Sequence, residues 1–279
     1  MNARSTTSLD AAAKRENFPV ASRLLSPPLR SRVVAFYRYA RTADDIADDP
    51  ALGTVAKLDG LQALEDGLRG LGPDNSGTVL RRALDGSGNG RDAEALAAAR
   101  DLLTAFRRDA EGIACADWAD LMSYCDASAV PVGRFLLAIH GEDARSRDPS
   151  DALCAALQVL NHLQDLKADW VALERRYLPA DWMVACGATD ADLARDAATP
   201  ELRAAIDRTL DATDDLIARA APLPGAIAAR GLRAQAAATL DVARRLSARL
   251  RRADPLAGHV ALRRGDLVRV TLAGLWALR

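Results

Sequence analysis

The sequence has few aromatic residues, and this shortage limits the fold classes that it can adopt. Four Phe, four Trp and four Tyr make up 4% of the 279 residues, whereas alanine supplies roughly a fifth of them. Strands favour aromatic and β-branched residues, while alanine is the strongest helix former. The composition therefore argues against an all-β sandwich or barrel. It predicts an all-α fold built from long, closely packed helices.

The chain also lacks an excess of charge of either sign, and it lacks paired cysteines. Its 37 basic residues, nearly all arginine, balance 38 acidic ones. Such a balance creates no field that attracts nucleic acid, so no nucleic-acid partner is expected. The four cysteines show no CxxC spacing and stand in apolar helical contexts. This pattern is typical of buried thiols in a reducing compartment.

Long apolar runs are missing as well. No stretch of about 18 apolar residues could span a membrane, and the polar N-terminus has no signal-peptide core. We therefore expect a cytoplasmic protein. Residues 1–15 are predicted to be a loose segment and residues 16–279 a single catalytic domain. An amphipathic piece over residues 264–278 leaves loose association with the inner face of the membrane open.

Apolar residues recur at helical spacing along most of the chain, which predicts about ten helices. Ser150 is a plausible N-cap for a helix over residues 151–173. Pro131 should break or kink a helix over residues 118–139. The other predicted helices cover about 29–49, 58–68, 92–113, 189–196, 200–221, 225–252 and 264–278, with a short piece at 79–84.

An acidic cluster ends the first predicted helix. Asp44 and Asp48 are i, i+4 neighbours on a helix, and so are Asp45 and Asp49. Like charges at this spacing, at a helix C-terminus, destabilise the helix. Divalent cations reverse the sign of that interaction, and carboxylates are ligands that Mg²⁺ prefers. The alternative is a solvated acidic helix end.

A second polar stripe occurs about 120 residues later. Gln158, Asn161, Asp165 and Asp169 share one face of a predicted helix that is otherwise apolar. Buried polar groups need partners, so this stripe should line a cavity unless it is a mixed surface face. Two acidic helices that face each other could hold metal ions against a diphosphate beside an apolar cavity. Prenyl diphosphate chemistry requires this arrangement.

Four segments carry a resemblance to a known family. They are Tyr37-x-x-x-Arg41-x-x-Asp44-Asp45-x-x-Asp48, Tyr124-Cys125-x-x-Ser128-Ala129-x-Pro131-Val132-Gly133, Gln158-x-x-Asn161-x-x-Gln164-Asp165-x-x-x-Asp169 and Arg175-x-Tyr177-Leu178-Pro179. These segments are similar to motifs of the squalene/phytoene synthase family, and the resemblance extends over about residues 16–270. It implies an isoprenoid-synthase-type helical bundle around a central apolar cavity.

The resemblance also implies roles for individual residues. Magnesium ions would be bound by Asp44, Asp45, Asp48, Asp165 and Asp169. Catalytic roles would fall to Tyr37, Arg41, Asn161, Gln164 and Tyr177. Substrate binding would fall to Phe18, Ser22, Ser128, Val132, Gly133, Gln158 and Arg175.

Further details resemble the hydroxysqualene synthases of the bacterial hopanoid route, a branch of this family. They are the segment 16–22, Pro131, the string 161–165 and the segment 254–257. This likeness implies conversion of presqualene diphosphate and water to hydroxysqualene and diphosphate. It also implies coupling to a presqualene diphosphate synthase and to a flavoenzyme that reduces hydroxysqualene. Val130 and His259 depart from the branch pattern, which bears on water placement or diphosphate holding.

Two alternatives remain at this stage. One is head-to-head condensation of two prenyl diphosphates to presqualene diphosphate, squalene or phytoene. The other is a non-catalytic relative that acts as an assembly factor. The complete acidic motifs argue against the assembly-factor alternative. Pairs of aspartates at this spacing destabilise a helix, and a non-catalytic protein would gain nothing from keeping them.

Overall fold

The computed structural model describes residues 26–85 and 91–262, and these residues form α-helices without any strand. Two short 3₁₀ helices, Ala144–Ser146 and Asp190–Ala194, interrupt the α-helical order. The α-helices of the described residues are α1 (Pro27–Asp48), α2 (Thr54–Arg69), α3 (Ser76–Leu84), α4 (Asp92–Glu111), α5 (Trp118–Ser128), α6 (Val130–His140), α7 (Arg147–Gln164), α8 (Leu166–Leu173), α9 (Ala180–Cys186), α10 (Pro200–Ala220), α11 (Leu223–Ala226) and α12 (Arg230–Leu250).

Helices α1 to α4 pack around one apolar core. Each buries a stripe of leucine, alanine or aromatic side chains, and α6 adds Phe135, Ala138 and Ile139 to the same cluster. Alanine lets the helices approach closely, so a small set of large side chains fills the space between them. This half of the molecule holds the first acidic cluster at the C-terminal end of α1.

The second core lies among α5, α7, α9, α10 and α12. Helices α7 and α10 form its centre, with Leu160, Leu202 and Ile206 fully buried. All four cysteines are free thiols, as expected; Cys115 and Cys125 are buried, whereas Cys154 and Cys186 are only partly buried. The second acidic motif lies at the end of α7.

Helix α6 stands between the two cores. Its Leu136 packs against both clusters, while Phe135 and Leu137 enter one cluster each. Ala129 separates α6 from α5, so the predicted break near Pro131 is confirmed and falls just before the proline. A proline is tolerated in the first turn of a helix, because its missing N–H has no partner there.

The prediction of one helix over residues 151–173 with Ser150 as its N-cap is wrong. Helix α7 already begins at Arg147, and Ser150 is buried inside it. A kink at Asp165, with φ −100° and ψ 11°, then separates α7 from α8. Backbone bonds from Asp165 to Asn161 and from Asp169 to Asp165 continue on either side, so the break is confined to one residue.

Other predicted elements shift by small amounts. The piece at 79–84 is confirmed as part of α3, whereas the predicted helix over 189–196 is a short 3₁₀ turn. Helix α9 was not predicted, and α12 begins at Arg230 rather than near residue 225. The predicted helix over 264–278 lies outside the described residues. No helix of the described residues is long and apolar enough to cross a membrane.

Candidate active site

Arg41 organises the first acidic cluster on the last turns of α1. Its guanidinium lies 3.0 Å from Asp44 Oδ2 and 2.8 Å from Asp45 Oδ1. Burial and the neighbouring Asp48 carboxylate raise the pKa of Asp44 to about 6. Three carboxylates within two turns therefore repel one another, and one arginine offsets only part of that repulsion.

Arg175 connects the first motif to the other half of the molecule. Its Nη1 lies 2.6 Å from Asp48 Oδ1, and its Nη2 donates to the backbone oxygens of Ala47 and Asp109. Arg175 follows α8, so one side chain joins α1, α4 and the segment after the second motif. Arg175, which the resemblance implied as a substrate-binding residue, therefore lies against the first acidic motif.

The second motif is bordered by two histidines. His162 Nδ1 lies 3.8 Å from Asp169 Oδ2, and His259 Nδ1 lies 3.5 Å from Asp165 Oδ1. Burial and the Asp169 charge raise the pKa of Asp165. The kink at Asp165 lies in a sparsely populated backbone region that is frequent at active sites. Because of its contact with Asp165, His259 lies beside a predicted metal ligand.

A hydrogen-bonded cluster joins the two motifs, and Asp109 on α4 is at its centre. The hydroxyl of Tyr124 donates to Asp109 Oδ2 at 2.8 Å, and that of Tyr177 donates to Oδ1 at 3.0 Å. The His162 ring stacks on Tyr177 with centroids 3.6 Å apart. Gln158 Nε2 lies 3.2 Å from His162 Nε2, so this predicted site residue also belongs to the cluster.

Asp109 was not among the site residues predicted from the sequence. It stands in an Arg-Arg-Asp string that is typical of a solvated helix face, so no local pattern separates it from a surface acid. Tyr124 was quoted in a motif without a role. The contacts that distinguish both residues come from segments far apart in the chain, and only folding brings these segments together.

Two apolar cavities flank α6 and share Val132 and Leu136. The first, about 220 Å³, reaches from the stacked Phe36–Phe135 pair to the polar groups Arg41 and Asp44, and is also lined by Tyr37. Its walls offer π-faces and hydrocarbon, and few nucleophiles. Such a lining suits a prenyl chain whose charged end lies at the first motif.

The second cavity, about 90 Å³, lies between α6, α7, α11 and α12. Gly133 permits the close contact of α6 with α7, because a Cβ there would lie 2.6 Å from Ser150 Oγ. Gln235 is 8% exposed and lines the same cavity. Val132 and Gly133, which the resemblance implied as substrate-binding residues, both line this cavity.

The remaining predicted residues differ in their placement. Gln164 is buried and donates from Nε2 to the backbone oxygen of Val260, so its amide contacts the segment that follows α12. Ser128 Oγ is buried without a hydrogen-bond partner among the described residues. Asn161 is half-buried on α7. Phe18 and Ser22 lie outside the described residues.

Magnesium binding can be judged from the chemistry of the donors. In residues 26–85 and 91–262, no group of three or more His, Cys, Asp or Glu side chains is close enough to hold a metal ion by itself. Mg²⁺ usually takes one or two carboxylates and completes its shell with water and phosphate oxygens. The crowded carboxylates of the two motifs fit that mode of binding.

The chain matches a known protein family over most of its length. A family model described as squalene/phytoene synthase matches residues 11–270. The chain belongs to the squalene/phytoene synthase family. Hydroxysqualene synthase of Rhodopseudomonas palustris is 41% identical over 249 residues, which cover 89% of this chain and 84% of the relative. Hydroxysqualene synthase of Zymomonas mobilis is 40% identical over 88% of this chain and 82% of the relative.

Solved structures agree with this membership of the squalene/phytoene synthase family. Squalene synthase HpnC from Alicyclobacillus acidocaldarius superposes with a TM-score of 0.73 at 27% identity, over 90% of this chain and 96% of that one. A dehydrosqualene synthase superposes with a TM-score of 0.76 at 21% identity, over 99% and 96%, which shows the fold alone. The isoprenoid-synthase helical fold predicted from the sequence is confirmed. The chain is an enzyme of the hydroxysqualene synthase type, to which its relatives at about 40% identity belong.

Proposed function

We propose that this enzyme converts presqualene diphosphate and water to hydroxysqualene and diphosphate, with Mg²⁺ as its cofactor. The observation that carries the proposal is the continuity of the apolar cavity beside Phe36 and Phe135 with Arg41 and Asp44 of the first motif. A substrate with a hydrocarbon body and a diphosphate end matches this gradient of polarity. The names of the relatives at about 40% identity support the same substrate.

The residues proposed to assist ionisation of the substrate have two different roles, metal binding and direct phosphate binding. Asp44, Asp45, Asp48, Asp165 and Asp169 would hold Mg²⁺, which neutralises the charge of the leaving diphosphate when bound. Arg41 and Arg175 place guanidinium groups at the same end and would bind phosphate oxygens directly. The C–O bond breaks and its electron pair leaves with the diphosphate.

The apolar walls then protect the carbocation until water attacks. Phe36, Phe106 and Phe135 line the first cavity and exclude bulk water. The attacking water forms the new C–O bond and loses one proton. Asn161, Gln164 and Tyr177 remain our candidates for the reacting end of the pocket, with Ser128, Val132, Gly133, Gln158, Phe18 and Ser22 as substrate-binding residues.

One experiment tests the proposal directly. The purified protein is incubated with presqualene diphosphate, Mg²⁺ and ¹⁸O-labelled water, and the products are analysed by mass spectrometry. We expect hydroxysqualene that carries one ¹⁸O atom, together with free diphosphate. The proposal fails if presqualene diphosphate is left unchanged or if every product lacks oxygen.

Head-to-head condensation is the second candidate. The 15-cis-phytoene synthase of Paracoccus sp. is 30% identical over 274 residues, which cover 93% of this chain. Incubation with farnesyl diphosphate and Mg²⁺ distinguishes the two reactions. Formation of presqualene diphosphate by the protein unaided favours condensation, whereas unreacted farnesyl diphosphate favours hydration.

The proposed chemistry also defines the neighbouring reactions. A prenyl transferase that joins two farnesyl units must supply presqualene diphosphate, and a reductase must consume the allylic alcohol. Both the substrate and the product are largely hydrocarbon, which favours loose contact with the inner face of the membrane. Co-sedimentation of the protein with lipid vesicles tests that contact, and a protein that stays wholly in the supernatant contradicts it.

A further inference from the structure

The Asp109 carboxylate holds the hydroxyl protons of two tyrosines at once. Tyr124 donates to Oδ2 and Tyr177 donates to Oδ1, at 2.8 and 3.0 Å. A tyrosine hydroxyl has one proton, so neither hydroxyl has a second proton to donate elsewhere. The two hydroxyl oxygens lie 3.5 Å apart, and each has only lone pairs left for a third partner.

This pair of hydroxyls lies between the two acidic motifs. Arg175 donates to the backbone oxygen of Asp109 and also contacts the carboxylate of Asp48. On the other side, the Tyr177 ring stacks on His162, whose Nδ1 faces Asp169. The cluster is therefore at the polar end of the site, where ionisation and water capture are proposed to occur.

We propose that Asp109 is the positioning residue for water capture, because it turns both tyrosines into hydrogen-bond acceptors for the attacking water. The inference rests on the proposed hydration reaction. A lone pair of the water forms the C–O bond to the carbocation, and the resulting oxonium gives one proton to a tyrosine oxygen. That tyrosine passes its own proton to Asp109, which becomes a neutral carboxylic acid and later releases the proton to solvent.

The surroundings of Asp109 suit a proton acceptor. Burial raises the pKa of the Asp109 carboxyl, and it outweighs the opposing effects of Arg175 and of the two tyrosine hydroxyls. A raised carboxyl pKa brings proton affinity nearer to the working pH, as general base catalysis requires. The titratable and charged groups that interact with Asp109 are Arg175, Tyr124, Tyr177, His162, Asp44 and Cys115.

The substitution Asp109→Asn separates the roles of this side chain. Asparagine is nearly isosteric, but it has one acceptor oxygen and an amide donor, and it cannot take up the proton. One tyrosine must then accept from the amide and turn its own proton toward the site. We expect the rate of hydroxysqualene formation to fall about 100-fold, at the lower end of what a positioned proton acceptor contributes. Diphosphate release should fall much less, with a C30 polyene formed by proton loss from the uncaptured cation.

The matched control is Asp120→Asn. Asp120 lies at the same contact of α4 with α5 and binds Arg108 at 2.7 Å, next to Asp109 in the chain. We expect this variant to keep the wild-type ratio of alcohol to polyene. Tyr124→Phe keeps the Asp109 carboxylate and removes one hydroxyl, so it should also shift the ratio toward polyene, even if Asp109→Asn folds poorly.

Three results would overturn the inference. They are an unchanged ratio in both Asp109→Asn and Tyr124→Phe, an equal loss of diphosphate release and alcohol formation, or the same shift in Asp120→Asn. The pH profile adds a further readout, because the acidic limb of alcohol formation in the wild type should disappear in Asp109→Asn. A wild-type protein that forms no hydroxysqualene refutes the proposed function instead, and this outcome is recognised before any variant is compared.

Discussion

The contact between α6 and α7 leaves no room for a side chain at Gly133. A Cβ built there would lie 2.6 Å from Ser150 Oγ and 2.7 Å from Cys154 Sγ, about 1 Å inside ordinary contact. Ser150 is only 5% exposed, so its oxygen has little freedom to move away. The substitution Gly133→Ala must therefore displace the side chains of Ser150 and Cys154 or push the two helices apart.

The expected magnitude follows from two opposing contributions. Overpacking a core contact costs about 1–3 kcal/mol, whereas alanine stabilises a helix interior by about 1 kcal/mol relative to glycine. The net result is a destabilisation of up to about 2 kcal/mol, or a loss of roughly 4–8 °C in melting temperature. Turnover should fall further, by up to about 100-fold, because the second cavity lies at this contact and such displacements misplace the substrate.

Calorimetric melting and a diphosphate-release assay measure both effects. Gly225→Ala is the matched control, since a Cβ at Gly225 meets nothing within 4 Å. Turnover should be unchanged and stability equal or slightly higher, because alanine is the better helix former. Adding Cys154→Ala to Gly133→Ala removes the sulfur that the new Cβ meets and should restore part of the stability. The reasoning is refuted if Gly133→Ala melts with the wild type and keeps full turnover.

The remaining predictions concern the metal ligands, one titratable group and the aromatic wall. Asp165→Asn with Asp169→Asn should abolish turnover and leave the melting temperature without Mg²⁺ equal or higher, since like charges are removed; retained turnover refutes the metal site. Burial raises the pKa of Asp109 in the folded state. The free energy of unfolding therefore decreases as pH rises through that pKa and the carboxyl loses its proton. The melting temperature of Asp109→Asn relative to wild type should therefore rise from about pH 4 toward neutrality in calorimetry, and a constant difference contradicts the shift. Phe135→Ala should cost about 3–5 kcal/mol in urea unfolding, because the fully buried ring stacks on Phe36 at 4.0 Å; a loss below 1 kcal/mol would contradict that packing.

Most of the helices could be predicted from the sequence, because each one buries an apolar stripe that recurs at the helical period. The ends of α1 and α4 and the interruption before Pro131 follow from proline, glycine and the acidic cluster, which are local signals. The kink at Asp165 could not be predicted, since the pattern from Gln158 to Asp169 is continuous. The predicted start of α7 was also wrong, because the sequence does not distinguish a buried serine such as Ser150 from an N-cap serine.

Part of the candidate site could likewise be predicted from the sequence, and part of it could not. Both acidic motifs were visible from the sequence because their i, i+4 carboxylates oppose helix stability. The bond of Arg175 to Asp48 spans 127 positions. The bonds of Asp109 reach Tyr124 on α5 and Tyr177 in the segment between α8 and α9, and no local pattern relates these residues. Periodicity and charge thus determined the fold class and identified the candidate metal ligands. Tertiary packing alone decided which side chains meet, because partners distant in the chain become neighbours only when the two cores close on α6.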